Sequence, residues 1–194
     1  MTDHSEAVDL HLDAPLEVPR WQGLVAWLLA VPHYIVLLVL GIGMFVAAII
    51  GVFAVLFTKQ LPPGIHTYIV RVQRYAYRIN AYVTFLAPGY PAFGLAGDDN
   101  DPGDAPIRFS VQRADELKRW GPLYKWILAI PHFIVLYVLG IAQSICIVIG
   151  FFVVLFTGRW PEGLRNFVVG VLRWQARVYA YLLLRDEYPP FTLD

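Results

Sequence analysis

The sequence predicts a mainly helical, membrane-embedded fold, built from tandem-duplicated units that share a small water-facing sheet. Three observations predict it. The stretch from Leu24 to Phe57 contains no Asp, Glu, Lys or Arg. The stretch from Trp126 to Phe156 repeats its pattern in the same register. An uncharged apolar run well beyond about 18 residues is a membrane candidate rather than a helix of a water-soluble domain. Composition agrees: 58% of residues are hydrophobic and 15% charged, against about 45–50% and 25% in soluble domains.

The repeat has a fixed offset of 99 residues. Arg20-Trp21 answers to Arg119-Trp120, Pro32-His33 to Pro131-His132, Gly51 to Gly150 and Leu56-Phe57-Thr58 to Leu155-Phe156-Thr157. Arg74, Arg78 and Tyr82 answer to Arg173, Arg177 and Tyr181. The register holds without a gap from Arg20 to Tyr82, and after one deletion Tyr90-Pro91-Ala92-Phe93 answers to Tyr188-Pro189-Pro190-Phe191. Duplication is the economical explanation. The expected organisation is a first repeat over 1–93, an acidic linker over 94–106 and a second repeat over 107–194.

Each unit has four parts in order. Val8–Leu12 and Ile107–Val111 alternate apolar and polar residues, the period of a half-buried strand. A polar lead-in follows and ends on Arg20-Trp21 or Lys118-Arg119-Trp120, a pairing suited to a membrane–water boundary. The apolar run comes third, stopped by Pro62-Pro63-Gly64 or Pro161-Glu162-Gly163. A straight helix from Leu24 to Phe57 would measure about 51 Å, and the hydrocarbon core is about 30 Å thick. The run therefore bends at Pro32 into a short first turn and a tilted span, or folds into a hairpin near Gly41-Ile42-Gly43. Gln143 and Ser144 in the second copy, together with the arginines that follow, favour the hairpin.

The fourth part is amphipathic. Ile65, Ile69, Val72, Ala76, Ile79 and Val83 line one face, opposite a stripe of Arg71, Arg74 and Arg78. Leu164, Val168, Val171, Val178 and Leu182 do the same opposite Arg173 and Arg177. Three arginines exposed to lipid at mid-bilayer would cost about 8–10 kcal/mol on the insertion scale. A helix lying in the interface, with its arginines among headgroup phosphates, is cheaper. The alternative is a spanning helix whose arginines face a bundle interior. The YPxF tails are expected to extend and pair with the strands.

The candidate site residues follow from these patterns. Arg71, Arg74, Arg78, Arg173 and Arg177 are candidates for lipid-headgroup or anion contact. His33 and His132, polar groups repeated inside apolar runs, are candidates for a functional pair. Two histidines without carboxylate or cysteine neighbours make a poor metal set, and no metal or cofactor is expected. Asp98, Asp99, Asp101 and Asp104 lack the spacing and the bidentate Glu of a calcium loop and read as solvated linker. No phosphate-binding glycine loop, nucleophile elbow or H-E-x-x-H occurs, so no residue is named as a catalyst. The formal net charge of +0 gives no field to recruit nucleic acid. The single Cys146 has no disulfide partner in the chain. The first residues lack the basic start and apolar core of a secretory signal.

The pieces A-[VI]-P-H-[YF]-I-V-L, L-F-T-[KG]-x-x-P, R-x-x-x-R-x-x-A-Y and Y-P-x-F together resemble a bacterial membrane family known as domain of unknown function 4389 (DUF4389), present here as tandem copies. The second half is the closer copy; Lys59, Gln60 and Ala92 depart from the pattern in the first. The resemblance implies a bacterial integral membrane protein and brings no activity or site residue.

These readings lead to the expectation of a multi-pass inner-membrane protein with a structural or assembly role. Its partners would be membrane lipids and either further copies of itself or another membrane protein. Long apolar hairpins before a basic helix also share their layout with the wedges of reticulon-like proteins, by analogy only. A channel or transporter subunit with a His- and Arg-lined path is the alternative. Arg108, Arg113, Lys118, Arg119 and Lys125 cluster on the strand side and favour a cytoplasmic placement for it.

Overall fold

A computed structural model of the chain describes residues 7–95 and 106–193. Most of the linker, including its four aspartates, lies outside these residues. Each repeat contributes a strand and three helices: β1 (Val8–Leu12), α1 (Arg20–Leu29), α2 (Val31–Thr58) and α3 (Pro63–Val83), then β2 (Ile107–Val111), α4 (Gly121–Leu128), α5 (Ile130–Thr157) and α6 (Glu162–Leu183).

The apolar run does not fold into a hairpin. It breaks once, at Ala30, and α2 then continues unbroken through Gly41 and Gly43 for 28 residues. Pro32 explains the break. Proline has no N–H to donate and is tolerated only in a helix's first turn, so Pro32 opens α2 and leaves α1 as a separate short helix. Pro131 does the same for α5. Of the two glycines that hinted at a turn, Gly43 serves packing, while a Cβ at Gly41 would meet open space. A Cβ at Gly51 would lie 2.8 Å from Leu61 Cδ1, and one at Gly43 would meet the Tyr68 hydroxyl. Both long helices end in a left-handed residue, Lys59 (φ 59°) and Gly158 (φ 74°).

The strands pair antiparallel, with Leu10 opposite Phe109. Those two residues are themselves 99 apart, so a pseudo-twofold axis passes between them, normal to the sheet. The hydrogen bonds around it obey the repeat: Asp13 N–H donates to Pro106 O and Gln112 N–H to Ala7 O; Val18 N–H donates to Gly158 O and Leu117 N–H to Lys59 O. Each strand packs on the other repeat's third helix, β2 on α3 and β1 on α6. The halves therefore exchange strands and are not separable lobes.

The inner face of the sheet carries Leu10, Ile107, Phe109 and Val111, all buried in the main core. Its outer face carries Asp9, His11 and Arg108, all exposed. Beneath it, α3 is enclosed: 10 of its 21 residues are buried. On the far side of α3 and α6 lie the long apolar helices, packed mainly on the third helix of their own repeat. Helices α2 and α5 are long and apolar enough to cross a membrane, with mean hydropathy 3.0 and 2.6, and only 6% and 17% of their most apolar windows are buried in the protein.

A tight close approach gives a test of this packing. A Cβ on Gly150 would lie 2.2 Å from the Trp160 ring. Gly150→Ala is expected to lower stability by roughly 1–3 kcal/mol through overpacking. Gly150→Ala with Trp160→Leu, which copies the leucine at position 61, is expected to recover most of it in thermal unfolding of detergent-solubilised protein.

Candidate functional site

The repeated histidines sit at matching points, one turn into each long helix. His33 is fully buried. Its Nδ1 is 2.6 Å from the Tyr75 hydroxyl on α3. Its ring stacks on Phe93 at 4.0 Å between centroids and meets Tyr90 at 4.9 Å. His132 repeats the arrangement: Trp174 Nε1–H donates to its Nδ1 at 3.1 Å, Phe191 stacks at 4.0 Å and Tyr188 lies at 4.8 Å. An indole N–H is only a donor. The bond therefore makes His132 Nδ1 the acceptor and fixes the neutral tautomer carrying its proton on Nε2.

The YPxF tails thus do not pair with the strands. They turn back over the histidines, and the Tyr90 and Tyr188 hydroxyls donate to the carbonyls of Leu29 and Leu128, at the ends of α1 and α4. One motif, P-H, supplies the polar ring; the other, Y-P-x-F, closes the cage around it. The structure does not bring His33 and His132 together, since each is enclosed by aromatic residues of its own repeat. Among the described residues no three of His, Cys, Asp and Glu gather as a metal set.

The arginines divide. Arg74 is 1% exposed, and its Nε–H donates to Phe109 O at 3.0 Å. Arg173 Nε–H donates to Leu10 O, also at 3.0 Å. These two reach across the axis to the carbonyls of its central residue pair. Arg74 faces protein, so a headgroup role does not fall to it. A buried carbonyl left unpaired costs roughly 1–3 kcal/mol, and the arginines meet that need. Arg177 donates to the Thr192 carbonyl in the C-terminal tail. Arg71 and Arg78 are half-buried on α3.

The structure also shows a polar cluster that sequence reading missed. In the first repeat Gln22 Nε2 donates to Tyr82 O (3.0 Å) and Ala87 O (2.9 Å), holding the exit of α3 against α1. In the second repeat Lys125 takes that task, bonding Arg185 O (2.7 Å) and pairing with Asp186 at 2.7 Å. Burial lowers the Lys125 amine below the ordinary lysine range, against the raising influence of Asp186. The exchange involves three positions: Gln22/Gly121, Ala26/Lys125 and Ala87/Asp186. A side chain at 121 would crowd Lys125 Cε, 3.0 Å from its Cβ. Comparing the two halves at the 99-residue offset is the signal that finds this trio.

The site and fold together define a class: a tandem pseudo-dimer of helical units, each with an apolar helix of membrane length and an aromatic-capped histidine. The chain belongs to the family described as "Domain of unknown function (DUF4389)", whose profile matches residues 20–94 and 119–193. Each match opens at the first helix of its repeat and closes on the tail that caps the histidine; both strands lie outside it. No curated protein and no solved structure matches the chain.

Two outcomes test the site. Removing one partner of a buried ion pair costs about 3–5 kcal/mol. Asp186→Asn is therefore expected to destabilise strongly. The triple change Gly121→Gln, Lys125→Ala, Asp186→Ala, which copies the first repeat, is expected to restore most of the thermal stability. His132→Phe strands the Trp174 N–H and is expected to cost roughly 1–3 kcal/mol. His132→Phe combined with Trp174→Phe is expected to cost less than His132→Phe alone, measured by the same unfolding assay.

Proposed function

We propose that the protein is embedded in a bacterial inner membrane and acts by association, anchoring or assembling with lipid and membrane partners. One observation carries the reading. The exposed faces of α2 and α5 are dominated by apolar side chains, Leu38, Ile42, Phe45, Ile49, Phe53 and Phe57 on α2 for example, and the exposed Ser144 of α5 bonds back to the Gly140 carbonyl. A buried core helix of a soluble protein would be covered; these are mostly uncovered. Large exposed apolar surfaces mark contact with a membrane or a partner. Exposed Trp21, Trp27, Trp120 and Trp126 on the flanking short helices suit the headgroup boundary. The charged strand side is assigned to the cytoplasm.

The arrangement of polar groups favours this over a channel subunit. The histidines that would line a path are sealed by aromatic rings, and Arg74 and Arg173 are occupied by sheet carbonyls. Carbonate washing of membranes from cells expressing the full chain tests the reading. The chain is expected to stay in the pellet and to need detergent for release. Recovery in the carbonate supernatant, monodisperse without detergent, would overturn it.

A further inference from the structure

We propose that the apolar helices lie along one leaflet of the membrane rather than crossing it, with the pseudo-twofold axis along the membrane normal and the sheet facing water. The occupant of the apolar face is the acyl layer of a single leaflet. The inference rests on the membrane reading above and concerns how the protein sits within it.

The directions of the elements follow from contacts. Along β1, Arg165 bonds Ala14 O, Arg173 bonds Leu10 O, and Arg177 lines one cavity with Val8. Helix α6 thus advances twelve residues, about 18 Å, while β1 runs back six, about 20 Å. It lies along the sheet plane. Helix α5 runs antiparallel to α6, since Gly150 meets Trp160 and His132 meets Trp174. It therefore lies across the twofold axis as well. Rotation by half a turn about that axis reverses it, so α2 and α5 point in opposite directions within one layer. Helix α1 packs on α5, and α4 on α2, which joins all four helices into that layer.

Two placements satisfy an apolar layer of this kind. If α2 and α5 crossed the bilayer, the axis would lie in the membrane plane. The sheet would then stand at mid-depth, beside the middle of α3 and α6, and its outward Asp9, His11 and Arg108 would face acyl chains. Charged groups facing acyl chains are expensive. Turning the axis upright removes that conflict. The sheet and its charged face then point to water, while α1, α2, α4 and α5 point into the leaflet. Length agrees: 28 residues make about 42 Å, too long for a hydrocarbon core of about 30 Å without steep tilt. A helix about 10 Å thick fits within one leaflet of about 15 Å. Exposed Arg20, Lys59, Arg119 and Arg159 mark the helix ends, at one depth in this placement.

The test uses the full chain with Cys146→Ser and single cysteines replacing Arg20, Gln60, Arg119 or Arg159. Spheroplasts and inverted vesicles are treated with a membrane-impermeant maleimide. All four positions are expected to label from the same side. Labelling of positions 20 and 60 from opposite sides would overturn the proposal. Nitroxides at Leu38, Phe45 and Phe53 add a depth series by oxygen and nickel accessibility. Equal depths are expected; a crossing helix would place position 45 deepest. Where the maleimide reaches none of the four, the depth series decides on that criterion. Release of the chain by carbonate refutes the membrane reading itself. Retention with opposite-side labelling refutes only the in-plane placement.

Discussion

Everything in this fold depends on one reciprocal constraint: two five-residue strands, each too short to stand alone, pair across a pseudo-twofold axis over helices that do not belong to them. An isolated two-stranded ribbon is marginal in water. Here the ribbon is held from beneath. Arg74 and Arg173 reach from α3 and α6 to the carbonyls of Phe109 and Leu10, the residue pair through which the axis passes. Burying a guanidinium is costly unless its donors are used. Each arginine thus requires the opposite repeat's strand, and each strand requires the opposite arginine. Two copies of the unit are needed to make these contacts, and the tandem duplication supplies both in one chain.

Within that symmetry the halves have diverged in compensating sets. Leu61 beside Gly51 corresponds to Trp160 beside Gly150, both glycines leaving room for the larger neighbour. Tyr75 against His33 corresponds to Trp174 against His132, which fixes the second histidine's tautomer while the stacking rings are the same. Gln22 corresponds to Gly121, and at the α6 exit the hold is made by Lys125 and Asp186 one turn away. In each set the contact survives while the residues change. That pattern points to geometry, rather than particular chemistry, as what the second copy preserves.

Much of the architecture was legible from the residues. Both strands fall where the alternating segments placed them, Val8–Leu12 and Ile107–Val111, because period two with one buried face is a local signal. The 99-residue offset gave the tandem organisation outright. Of the two solutions for the apolar run, the bend at Pro32 is the one found; Gln143, Ser144 and the arginines that favoured the hairpin are accommodated without one, and Gly43 makes room for Tyr68. Local chemistry does not say what a glycine faces. The arginine stripe was found, but its target was not. A stripe on one helix face is compatible with phosphates or with carbonyls, and only the strand exchange decides for Arg74. The YPxF tails were seen as a repeated motif and assigned to the wrong partner, since the ring they stack on lies about sixty residues earlier in sequence.

The functional reading rests on the least local property of the chain, which is where polarity lies relative to the twofold axis. Charged side chains gather on the outer sheet face, and uncovered apolar side chains gather on α1, α2, α4 and α5. The polar groups placed deep in the protein, the histidines and Arg74, are turned inward and matched to rings and carbonyls. A transport path needs polar groups that face one another across open space. A structural element in lipid needs the reverse, with its backbone polar groups satisfied internally and its outer surface apolar. The Gln22 amide, the Lys125 amine and the two arginines on the axis all donate to backbone carbonyls of the protein itself, and this inward turn of the donors is why we favour association over conduction.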